Sequence, residues 1–284
     1  MVALLPRGVR RWTGDMPQNS SSRPDPHPDA LPPGGPAPRP APADGPGPSA
    51  TSTPSAGAGG RPSPRVGWPE IGVGLVVAAA LIALLLAATS LIPQDQEILR
   101  GLALYAVSAL GPLGGFAAAV ALRVRDVRAF GLRRVSGRWL LVSVAIGIGV
   151  IVLNLLVTAA VVTLFPPPEN IQAGYQAAAT GGALSFLGAL VLGAVLVPIG
   201  EELFFRGVLT NGLARYGPWV AVLVSSTVFA VAHGINYVLP VAFVVGVIGA
   251  LLLRRTGSLW PGVVVHAVNN LSSVIIPAVL AGAV

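Results

Sequence analysis

Glu201, Glu202 and Arg206 stand in a run that carries no other charge from Leu184 to Leu213, and two of the three histidines, His233 and His266, fall in later apolar runs. A charged side chain at the centre of a membrane helix costs about 2.5 to 3.5 kcal/mol on insertion scales, so three within six residues call for pairing or function. On a helix, residues four apart share a face. That spacing sets Glu202 against Arg206 and leaves Glu201 rotated about 100° away without a local partner. A buried ion pair that orients a helix accounts for Glu202 and Arg206; it does not account for Glu201.

The same spacing recurs around the histidines. Phe229 lies four residues before His233, where its ring can sit beneath the imidazole, exclude water and fix the rotamer. His266 and Asn270 are also four apart and present two polar groups on one helix face. A glutamate, two histidines and an asparagine can together activate a water and stabilise an oxyanion. Asn269 points elsewhere on this reading and is the weaker candidate. Ser225, Ser226, Ser272 and Ser273 are present, but small hydroxyl residues in membrane helices bond their own backbone, and none stands in a nucleophile-elbow motif.

These side chains need elements that hold them, and the composition says which. The chain is 53% hydrophobic and 10% charged with a mean hydropathy of +0.74, and its apolar runs exceed the length of soluble core helices. The expected fold is all-α: a polytopic membrane bundle of about seven helices, between six and eight, behind a disordered Pro-rich tail. The tail, Met1 to Val66, holds 16 of the 27 prolines with Gly, Ser and Ala between them. Its opening apolar run is too short for a signal peptide, which leaves the first membrane helix as the insertion signal. All 18 basic residues are arginine, a coding bias that argues for no nucleic-acid partner, and the absence of cysteine excludes disulfides, thiol nucleophiles and cysteine-held metals.

Spans are expected at Ile71–Ile92, Gly101–Leu122, Trp139–Phe165, about Gly182–Leu213, Pro218–His233, Val238–Leu253 and Trp260–Ala281. Pro112 with Gly114 and Gly115 should kink the second or admit a close neighbour. The third stops at Pro166-Pro167-Pro168, followed by an outer loop or short surface helix to Gly182. Pro198 should bend the long fourth region. Six arginines against one aspartate between Arg123 and Arg138 place that loop, and with it the N-terminal tail, in the cytoplasm. The expected organisation is then tail 1–66, supporting helices 67–181 and a catalytic core 182–284. At 1.5 Å per residue, Glu202 lies roughly 20 Å from Arg215, His233 roughly 22 Å from Pro218 and His266 roughly 16 Å from Arg255. Three helices bring their polar groups to one depth.

Glu201-Glu202-x3-Arg206, Phe229-x3-His233 and His266-x3-Asn270, in this order on successive membrane helices, resemble the motifs of the CPBP family of intramembrane proteases. That family includes the CAAX prenyl endopeptidases and the Abi proteins linked to bacteriocin handling. The resemblance runs from about Gly182 to the end and extends to the connection Arg254-Arg255-Thr256-Gly257-Ser258-Leu259-Trp260. It implies a peptide-bond hydrolase of the membrane in which the first glutamate and first histidine activate water while the second histidine and asparagine form an oxyanion site. Carried onto this chain, these are Glu201, His233, His266 and Asn270, with Glu202, Arg206 and Phe229 in support. The substrate would be a peptide or lipidated protein at the lipid bilayer of a bacterial plasma membrane. The Pro-rich tail lies outside the family pattern.

His233, His266 and Glu201 or Glu202 can also supply three ligands to a divalent metal such as zinc, yet there is no His-Glu-x-x-His helix, and a metal on Glu201 would occupy the general base. The sequence thus favours a metal-free glutamate mechanism, with the zinc version as its alternative. Of a different class is a catalytically silent membrane protein that binds a partner or confers bacteriocin self-immunity, with the polar cluster as structural glue; a transporter using the buried glutamate as a proton site comes third.

Overall fold

The computed structural model describes residues 65–164 and 170–282, and every regular element among them is helical. The chain order is α1 (Trp68–Ser90), α2 (Glu97–Ala119, prolonged by a π turn at Val120–Val124), α3 (Gly137–Leu164), α4 (Ala173–Thr180), α5 (Ala183–Tyr216), α6 (Pro218–Ala232), α7 (Leu239–Thr256) and α8 (Trp260–Leu280). Six of these, α1, α2, α3, α5, α7 and α8, are long and apolar enough to cross a membrane; α6 is apolar but only 15 residues long. The seven apolar helices stand where the hydropathy runs put them, and α4 is the short helix expected before Gly182. The N-terminal tail up to residue 64 and the triple-proline stop lie outside the described residues.

Local chemistry fixes the helix starts. Proline occupies the first turn of α1, α6, α7 and α8, where its missing N–H has no intrahelical partner to lose. Glycine permits close approach at the crossings: a Cβ on Gly115 of α2 would stand 2.6 Å from the Gly74 carbonyl of α1, and one on Gly246 of α7 would stand 2.9 Å from Ser226 Cβ of α6. Helix α2 runs through Pro112 to Ala119, so the Pro-Gly-Gly stretch serves close packing rather than ending the helix. Phe204, Phe205, Val208, Phe229, Val245 and Leu259 belong to the main buried cluster. Leucine and valine side chains on α1 and α3, such as Leu84, Leu141 and Leu156, remain exposed, as a lipid-facing surface requires.

One end of the bundle gathers the arginines. Arg123 meets the buried Glu70 carboxylate at 2.7 Å, the Trp68 indole donates to Tyr216 Oη at 2.6 Å, and Ser258 Oγ donates to the Arg133 carbonyl at 2.7 Å. These bonds tie the start of α1, the 123–138 loop, the end of α5 and the α7–α8 link into a single face. Because the chain has no native cysteine, a single cysteine at Ser136 is expected to react with impermeant maleimide only from the cytoplasmic side; labelling from outside the cell would overturn the arginine-based orientation.

The fourth region departs most from expectation. Pro198 lies within α5, which continues for 34 residues with two π-helical stretches, Leu190–Leu196 and Glu202–Thr210. In the first, the Val197 N–H reaches back five residues to Leu192 O. The next donor in that register would be residue 198, and proline has none, so Gly193 O is left to be satisfied from outside the helix. Asn270 Nδ2 of α8 donates to it at 3.2 Å.

Candidate active site

Glu201 and Glu202 sit at the start of the second π stretch, both buried, at 8% and 0% exposure. Glu202 Oε2 lies 3.3 Å from Arg206 Nε, the pairing read from the spacing. Two backbones press on this carboxylate: a Cβ on Gly249 of α7 would stand 2.8 Å from Glu202 Oε2, and one on Gly262 of α8 would stand 2.7 Å from it. Only glycine leaves room there. Gly262→Ala is expected to cost about 1–3 kcal/mol, the usual range for overpacking, and to lower the melting temperature, while Gly137→Ala, which meets nothing within 4 Å, should leave it unchanged. Equal melts for the two variants would contradict this packing.

His233 stands at the end of α6, where the expected span Pro218–His233 put it, and caps the helix with φ −84° and ψ 0°. Its Nδ1 lies 2.9 Å from Phe229 O. A carbonyl only accepts, so Nδ1 carries the proton and Nε2 is left as an acceptor turned toward Glu201, 4.0 Å from Oε2. His266, on α8, lies between the two glutamates: Nε2 is 3.5 Å from Glu201 Oε2 and Nδ1 is 3.4 Å from Glu202 Oε1. The ring thus faces both carboxylates, with Nδ1 within hydrogen-bond distance of Glu202 and Nε2 turned toward Glu201.

Phe229 ties the cluster together more than its spacing foretold. Its ring meets His233 edge-on at 4.6 Å and His266 at 5.7 Å, and the Arg206 guanidinium lies over it at 4.2 Å. Asn270 stands one helical turn after His266 on α8 and bonds Gly193 O. Asn269, expected to point away, is buried with Nδ2 3.4 Å from Asn270 Oδ1 and its own Oδ1 unpartnered. Ser225, Ser226 and Ser272 donate to carbonyls of their own helices, as anticipated.

The sequence reading missed two tyrosines. Tyr105 of α2 and Tyr175 of α4 stack at 4.7 Å, the Tyr105 ring fills the space beside Gly193, and Tyr175 Oη is 3.1 Å from Ser108 Oγ. Burial pushes the Tyr175 phenol up from its ordinary value and the charge of Glu201 adds to this, outweighing the bond to Ser108. The phenol therefore stays protonated near the glutamate. Neither tyrosine is part of a motif, and only their position in otherwise apolar segments could have flagged them.

The metal alternative can be tested on the donor positions. Two ligands bound to a tetrahedral zinc at about 2.0–2.1 Å stand roughly 3.3–3.4 Å apart. Glu201 and His266 come near this at 3.5 Å, but His233 is 4.0 Å from the same oxygen, and no three His, Cys, Asp or Glu side chains among the described residues form a metal-ligand group. As placed, Glu201, His233 and His266 do not fit a three-ligand metal site.

A membrane-helix bundle with carboxylates, imidazoles and amides enclosed at one depth is an integral membrane protein built around a buried polar site. Residues 183–272 match the family described as Type II CAAX prenyl endopeptidase Rce1-like, a segment that contains every motif residue named above. The match supports the CPBP/CAAX protease family and, in general terms, intramembrane endopeptidase activity on membrane-associated protein substrates. Comparison with curated proteins and with solved structures returned no significant match.

Proposed function

We propose that the protein hydrolyses a peptide bond of a membrane-associated protein or peptide, with water activated by Glu201 and His233. The observation that carries this reading is the gap between Glu201 Oε2 and His233 Nε2. At 4.0 Å it is too wide for a direct hydrogen bond and admits a water about 2.8 Å from each atom. Both groups accept, since the His233 proton is held at Nδ1, so the water directs its protons to them and its lone pair to the carbonyl carbon. Glu201 takes a proton as the oxygen attacks and returns it to the leaving amine. The His266 Nε2–H, within reach of Glu201 Oε2, then finds a better acceptor in the developing oxyanion than in a glutamate that has become neutral. Asn270 contributes its second amide hydrogen while the first stays on Gly193 O. On this reading the catalytic core is 182–284 within a bacterial plasma membrane, 67–181 support it, and the tail 1–66 is cytoplasmic.

The route is free of metal, in keeping with the donor spacing. Cleavage of prenylated or membrane-associated test peptides by the purified protein should survive chelation that lowers bound metal to trace level. Activity that disappears with the metal and returns with zinc, together with metal loss in His233→Ala and His266→Ala, would replace this mechanism with the metal-dependent one.

A further inference from the structure

At the arginine-rich end of the bundle, away from the glutamate–histidine cluster, lies a cavity of about 230 Å³. Arg128 and Arg133 of the 123–138 loop and Arg254 of the last turn of α7 line it, with Thr210 and Asn211 of α5 on the inner wall, and no carboxylate belongs to the lining. Among the described residues Arg128 and Arg254 take part in no ion pair, and Arg133 Nε donates only to a backbone carbonyl, Arg128 O, at 3.0 Å. Asp126, the acid nearest in the chain, is engaged in capping its own turn, accepting from the Arg128 backbone N–H at 3.0 Å. The three arginines are exposed at the rim of a hollow that no carboxylate lines, which leaves most of their guanidinium donors free for an anion. Their forked donors match tetrahedral oxyanions better than any other common partner. The hollow also stands at a helix-end face carrying Trp68 and Tyr216, residue types that sit at the headgroup level of a bilayer.

We propose that this cavity binds a phosphate group, donated by the headgroup of an anionic phospholipid. Bound there, the phosphate bridges the 123–138 loop, the end of α7 and the wall of α5. Thr210 on that wall closes the π stretch that begins at Glu202, with its Oγ1 donating five residues back to Phe205 O at 3.0 Å. The ligand thus braces the segment that carries the buried ion pair. This inference stands on the cavity alone and does not depend on the hydrolytic reading.

The test uses the full chain in nanodiscs and reads melting temperature rather than turnover. Replacing part of the phosphatidylcholine with phosphatidylglycerol should raise the midpoint by about 2–4 °C or more, the shift that roughly 1 kcal/mol of ligand binding gives a protein of this size. R128Q/R254Q should lose most of that rise. R134Q/R138Q, which removes the same charge from arginines outside the lining, should keep it. Inorganic phosphate added to phosphatidylcholine discs distinguishes the source: no rise is expected, and a rise equal to that with phosphatidylglycerol would mean that a soluble phosphate is the ligand and overturn the lipid assignment. A phosphatidylglycerol effect retained by R128Q/R254Q, lost equally in R134Q/R138Q, or absent from the unmodified protein would overturn the site itself. If the double variant does not fold, R254Q alone serves, with about half the rise expected.

Discussion

Glu201→Gln is expected to fold at normal yield and melt near the parent temperature while losing peptide hydrolysis by a factor on the order of 100 or more, the range for a missing general base. The expectation follows from what touches this carboxylate. Its Oε2 faces two imidazole nitrogens at 3.5 and 4.0 Å and otherwise has no hydrogen-bond donor among the described residues, so the amide, of nearly the same shape, disturbs little of the packing. What the amide cannot do is take a proton from water. The measurement is turnover of a prenylated or membrane-associated peptide, with a thermal melt on the same preparation. Full activity in Glu201→Gln beside a stable but inactive Glu202→Gln would reverse the roles of the two glutamates.

Arg206→Leu should have the largest effect on stability. The substitution leaves Glu202, which is fully buried and pressed by Gly249 and Gly262, with no cation four residues on. Breaking a buried pair in this way costs about 3–5 kcal/mol, a fall in melting temperature on the order of 10 °C. The arginine also covers the Phe229 ring, so the loss reaches both histidines that lean on that ring. A structural ion pair makes a further demand: Glu202→Gln/Arg206→Leu should recover part of the loss, because no lone charge is left behind. If Arg206→Leu melts like the parent, the pair is not what holds α5 against α7 and α8.

The pairing of Glu202 with Arg206 was legible from the chain because it needs only helix periodicity and the rarity of charge in apolar runs. The meeting of His233 and His266 with Glu201 was legible for a related reason, since arginines mark the ends of the helices from which the residues are counted. The π turns were not. A π turn adds a residue without changing composition, so Leu190–Leu196 reads as any apolar run. A neighbour on a helix is about 100° away, which separates faces but does not keep the Asn269 side chain from meeting Asn270. Gly262 and Tyr175 depend on which segments become neighbours in space, and one-dimensional spacing carries no record of that.

Helix α6 ends at Ala232 after 15 residues, about 22 Å of rise, against roughly 30 Å of hydrocarbon. A helix of that length does not by itself cross the hydrocarbon, and it is followed directly by the turn Gly234–Asn236. Hydrophobic mismatch of this kind thins or indents the lipid around the short element. His233, with 27% of its side chain exposed, stands at the end of this short helix and would lie at the floor of such an indentation. Solvent would then reach the reacting groups from one leaflet without a pore through the protein, and the length of α6 would act as a ruler. A bond could be cut only where it hangs at that height above the arginine-bearing surface, so lengthening α6 by one turn should move the point of cleavage along the substrate rather than only slow it.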